Sequence, residues 1–107
     1  MTVKIVTVGG SQPVGQLATA ELHFEEQDGI LSGLKLIGFG VWERRTGGGR
    51  NVTFPARSYA VNGERRSFAL LRPIVDTTSQ GRVRQAILDA YAAEVDQREA
   101  EVSATRG

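Results

Sequence analysis

Apolar and polar positions alternate along the chain up to about residue 72 and then change period. Residues 3–8 run Val-Lys-Ile-Val-Thr-Val, and that density of β-branched side chains predicts a strand. Gly9, Gly10 and Pro13 break it. Over 17–26 the alternation is regular. Ala18, Ala20, Leu22 and Phe24 share one face; Thr19, Glu21, His23 and Glu25 share the other. A period of two predicts an antiparallel strand with one buried face. Asp28-Gly29 reads as a tight hairpin turn. The returning strand is expected from about Ile30 through Leu34, Leu36 and Ile37 toward Trp42.

Gly47-Gly48-Gly49 separates two extended stretches and reads as a flexible hairpin tip, because glycine tolerates positive φ. A fourth strand would place Val52, Phe54 and Ala56 on one face. Pro55 lies within it, and proline cannot donate to a ladder, so this strand is expected at a sheet edge or bulged. Asn62-Gly63 is a second strong hairpin signal. A fifth strand covers about 66–72, with Phe68 and Leu70 expected inward, and ends at Pro73. Beyond it Val83, Ile87, Ala90, Tyr91 and Val95 recur at helical spacing. The helix is expected from about Ser79 to at least Glu94, with Asp76, Thr77, Thr78 and Ser79 as candidate caps. Residues 96–101 are polar and expected to fray, and 103–107 to be disordered. The fold class is therefore α+β: an antiparallel sheet of four to five strands with one C-terminal helix.

At 107 residues the chain fits one domain, read as residues 1–95 with a polar tail over 96–107. No apolar run approaches the ~20 residues that span a bilayer, so no membrane partner is expected. There is no cysteine, which excludes disulfides and thiolate metal sites and favours a cytoplasmic location. The net charge of +1 hides a strong asymmetry. Residues 1–42 carry −2, residues 43–84 carry +6, and residues 85–107 carry −3. All nine cations of the middle segment are arginines, whose planar donor fork suits phosphate and carboxylate. Such a distribution points to a polyanionic partner or to a solvated basic face.

No constellation for catalysis emerges. His23 is the only histidine and has no set of co-ligands, so a metal site is not expected. A hydrolase triad would need that same histidine, and no Gly-x-Ser-x-Gly elbow is present. Thr46-Gly47-Gly48-Gly49-Arg50 resembles a phosphate loop only in composition, because a strand and not a helix follows it. Its arginines, Arg44, Arg45 and Arg50, remain candidates for a phosphate backbone. Glu25, Glu26 and Asp28 could do acid–base work, but beside a turn they read more simply as a solvated end. Trp42, Phe54 and Tyr59 are interleaved with Arg44, Arg45, Arg50 and Arg57, a pattern that suits either base stacking or a core. The chain is thus expected not to be an enzyme and to need neither cofactor nor small-molecule substrate.

Three stretches carry a resemblance. One is 78–91, with Gly81, Arg82, Ala86, Leu88 and Tyr91 in a polar turn, glycine–basic, apolar-helix pattern. Another is Val52-Thr53-Phe54-Pro55-Ala56-Arg57, and the third is Arg72-Pro73-Ile74. In order and spacing, from Ala18 to Tyr91, the chain resembles the stage V sporulation protein G family. It departs in having Arg72 where the family usually has histidine, in a first strand whose only basic residue is Lys4, and in a longer segment over 38–50. The resemblance implies a small sheet-plus-helix fold, a homodimer, and binding of DNA or RNA in gene regulation. It implicates basic residues near the strand-to-helix junction and the helix start, which here are Arg72, Arg82 and Arg84, with Arg57 on the proline-containing strand. The edge strand over 52–59 is the expected dimer contact. The rival expectation is a protein-interaction module, in septation or development, whose arginine face meets an acidic protein.

Overall fold

A computed structural model describes the backbone of residues 1–7 and 13–106, and side chains as far as Glu101. Val8 and the expected break over 9–12 lie outside the described residues, as does Gly107. The fold is α+β. Four strands, β1 (Thr2–Val6), β2 (Gln16–His23), β3 (Lys35–Glu43) and β4 (Arg50–Thr53), form an antiparallel meander in the order β1-β2-β3-β4. Two more, β5 (Ala56–Val61) and β6 (Glu64–Ala69), make a separate hairpin, and one helix, α1 (Thr78–Arg106), follows. No helix among the described residues is long and apolar enough to cross a membrane.

The alternation in β2 places its side chains as expected. Ala18, Ala20 and Leu22 are buried, and they meet Phe39 and Val41 of β3, Val52 of β4 and Ile87 of α1. Complete burial of each larger side chain in this set contributes roughly 1.5–3 kcal/mol. α1 lies across β1, β3 and β4, with Val83, Leu88 and Tyr91 packed around Ile87. On the opposite sheet face Glu21 accepts from His23 (2.8 Å) and Lys35 (3.4 Å).

β3 contains a bulge, because Ala20 pairs with Phe39 while Leu22 pairs with Leu36. Gly38 stands in it at φ 107°, and a Cβ there would lie 2.9 Å from Cβ of Pro55. Gly40 is equally constrained, since its Cβ would lie 2.6 Å from Nε1 of Trp42. Both glycines are therefore places where another side chain crosses the strand.

Five expectations are corrected. Asp28-Gly29 is not a two-residue hairpin turn. Glu26–Leu31 forms a 3₁₀ segment in which Gly29 alone has positive φ, and the Asp28 carboxylate accepts from the Glu25 amide (2.6 Å). A type I′ turn needs positive φ at both central residues. β3 consequently starts at Lys35 and not near Ile30, which is 97% exposed. The strand through Pro55 is two strands: β4 ends at Thr53, β5 begins at Ala56, and the shared face ends with Phe54 because Ala56 is exposed. Phe68 and Leu70 do not face inward; they are 40% and 56% exposed, because the hairpin leaves the body at Pro55 and has no core beneath it. Finally, helical backbone continues over 96–106, where fraying and disorder were expected. Asn62-Gly63 does form the expected tight turn, with φ 50° and 81°.

Candidate nucleic-acid interface

β4 is one of the two outer strands of the four-stranded sheet, and α1 packs against it. Along this seam two arginines rest on aromatic rings in a reciprocal way. Arg50, at the start of β4, lies 4.7 Å from the ring centre of Tyr91 on α1. Arg84, on α1, lies 5.4 Å from the ring centre of Phe54, just past β4. Phe54 is itself fixed edge-on against the buried Phe39, with ring centres 5.3 Å apart. Arg84 and Tyr91 are seven residues apart on one helix face, or about 10 Å along the axis.

Stacking uses the flat face of a guanidinium and leaves its N–H edge open. An arginine held this way is oriented before a ligand arrives, which lowers the entropic cost of binding a phosphate. Among the described residues no carboxylate stands within ion-pair distance of Arg44, Arg45, Arg50, Arg57, Arg65, Arg72, Arg82 or Arg84. Ion pairs are formed by Arg66 with Glu64 (3.4 Å) and by Arg98 with Glu94 (3.5 Å).

The expected site residues fall into two groups and two outliers. Arg72 lines a small recess of about 100 Å³ together with Phe54, Leu71 and Gln80, and Arg84 rests on the same Phe54 ring. Arg44 and Arg45 line one open recess and Arg50 another, and Glu43 borders both. The loop over 44–49 is closed by a hydrogen bond from the Arg44 amide to the Gly49 carbonyl (3.1 Å). Its three glycines all have positive φ, as a sharp tip requires. Arg82 is exposed and stands outside both groups. Arg57 sits on β5 opposite Phe68, on the hairpin and apart from the seam.

α1 begins at Thr78, where the Thr78 amide donates to Asp76 Oδ1 (2.9 Å) and the Gly81 amide to the Thr77 carbonyl (3.2 Å). Arg82 therefore stands in the second turn, beyond the strongest influence of the helix dipole. Tyr91 was not legible in the sequence as a stacking partner, because its helical spacing marks it equally well as core. Arg65 and Arg66 were not singled out either; their one signal is adjacency to the Asn62-Gly63 turn. Among the described residues no three His, Asp or Glu side chains gather as a metal-binding group.

No family model, curated protein or solved structure matches the chain.

Proposed function

We propose that this chain is a non-enzymatic, cytoplasmic nucleic-acid-binding regulator of the stage V sporulation protein G type. Its site is the β4–α1 seam together with the Arg44–Arg45 loop and the Arg72 junction. The observation that carries this reading is the ring-stacked pair Arg50 and Arg84, oriented and, among the described residues, free of carboxylate partners beside further unpaired arginines. Phosphodiester oxygens would accept from the guanidinium edges, giving affinity that depends on charge more than on base identity. Regulation then requires some base readout, and the exposed Arg57 is available for it.

The test is fluorescence anisotropy with a random duplex DNA and a random single-stranded RNA, each at several salt concentrations. Binding of either, weakening linearly in log–log form with salt, supports the proposal. Failure to bind both at low salt would overturn it and favour an acidic protein as the partner of the same arginines.

A further inference from the structure

Trp42 stands outside the hydrophobic core. Phe39 is buried in that core, and Phe24, Phe54 and Tyr91 pack against it, but the half-buried Trp42 does neither. Phe39 and Val41 point into the core, so by the period of a strand Gly40 and Trp42 face away from α1. There the indole crosses Gly40 and donates Nε1–H to Thr53 Oγ1 (2.8 Å). A glycine inside a strand weakens it and marks a place where another group comes close. Three groups converge on the bare Cα of Gly40. Nε1 of Trp42, Oγ1 of Thr53 and Nε2 of Gln16 lie 2.6, 2.8 and 3.4 Å from where its Cβ would stand. The indole is therefore held in place on an open sheet face.

These residues line a recess of about 410 Å³ whose wall includes Gly38 and Glu21. Cross-strand pairing sets Gln16 on one side of Trp42 and Asn51 on the other. Each of these amides carries both donors and an acceptor. The Glu21 carboxylate already accepts from His23 and Lys35. Trp42 also borders a second recess, which Arg44, Arg45 and Glu43 line. Two arginines against one carboxylate leave that recess net positive. A fixed ring with amides beside it, next to a cationic recess, matches what one nucleotide presents: a flat base with a polar edge, and a phosphate.

We infer that Trp42 is a stacking platform for an unpaired base of a single-stranded nucleic acid, with Arg44 and Arg45 taking the adjoining phosphate. This rests on the nucleic-acid reading above and adds to it the form of the strand. A ring recognises the face of a base, and that face is free only where the base is unstacked. In a duplex the neighbouring pairs cover it, so a duplex reaches the arginines and not Trp42. The ring is positioned before the ligand arrives, which lowers the ordering cost of binding. Trp42 pairs with Asn51, which adjoins Arg50, so a strand leaving the recess across β4 meets the arginine seam next.

The experiment follows the emission of Trp42, the only tryptophan, as the full chain is titrated at low salt. The probes are an oligothymidylate of about 12 nucleotides, a duplex of the same length, and thymidine monophosphate. The single strand should quench the emission, and the duplex should bind without quenching it. Trp42→Leu should weaken single-strand binding, read by anisotropy of a labelled strand, about tenfold, the effect of losing one base–ring stack. Trp42→Phe should restore most of that loss, and duplex affinity should be the same in all three proteins. Single-strand binding that leaves the emission and the Trp42→Leu affinity unchanged overturns the inference while the arginine reading stands. Equal quenching by the duplex overturns it too. Equal quenching by thymidine monophosphate at the same nucleotide concentration also overturns it, and would mark a free-nucleotide site. Binding of neither strand form overturns the nucleic-acid reading itself. Should Trp42→Leu not fold, the three titrations of the parent decide by themselves.

Discussion

Arg50 lies over the ring of Tyr91, and the topology brings the two together: Arg50 opens the edge strand β4, and Tyr91 faces it from the helix. The reverse pairing, Arg84 on Phe54, closes the other end of the same seam. Strand and helix thus each lend the other one cation and one ring. This arrangement makes two of the candidate binding residues structural as well.

That double role predicts a split among the arginines. Arg84 is half-buried on its ring, so Arg84→Ala should cost about 0.5–2 kcal/mol, a fall in melting temperature of roughly 2–10 °C. Arg82→Ala, at an exposed position without a ring, should leave the melting temperature nearly unchanged. Equal effects of the two substitutions would show that the stacking does not hold the seam.

Gly40 makes a second test possible, because Trp42 crosses it and donates Nε1–H to Thr53 Oγ1 (2.8 Å). A Cβ at position 40 would lie 2.6 Å from that Nε1 and 2.8 Å from that Oγ1. Gly40→Ala should therefore displace the indole and destabilise the fold by about 1–3 kcal/mol. Trp42 is the only tryptophan, so its emission should shift to the red. An unchanged spectrum and melting temperature would contradict the close crossing.

The outer face of the sheet carries a pH dependence. The hydrogen bond from His23, helped by Lys35, holds the Glu21 carboxyl below its ordinary range. A carboxylate lowered in the native state stabilises the fold above its unfolded pKa, about 4.3 for Glu. That contribution fades as pH falls through the lower native value. Glu21→Gln should therefore melt below the parent near neutral pH, and the two melting temperatures should converge on acidification. A gap that stays constant down to about pH 3 would contradict the assignment.

Elements with one clear period were legible in the sequence. The alternation of Ala18, Ala20 and Leu22 identified the buried face of β2, and the spacing of Val83, Ile87 and Tyr91 identified the inner face of α1. Asn62-Gly63 was legible because its turn chemistry is local. Asp28-Gly29 was not, since the Asp28 carboxylate caps the Glu25 amide and redirects the chain into a 3₁₀ turn. The inward expectation for Phe68 and Leu70 missed because alternation tells which residues share a face, not whether that face meets the chain's own core. Of the site, the arginines were visible from composition. The rings under Arg50 and Arg84 were not, because each pair joins residues distant in sequence.

Phosphate binding by the unpaired arginines before and within the start of α1 stands or falls most directly on Arg72 and Arg82, because both are exposed and neither stacks on a ring. The measurement is the salt dependence of duplex DNA binding by the parent and by the Arg72→Ala, Arg82→Ala double variant. The variant should bind every sequence more weakly and alike, with a log–log salt slope shallower by about 0.9 for each phosphate it no longer neutralises. The same affinity and slope in parent and variant, with both folded, would contradict phosphate binding at these arginines.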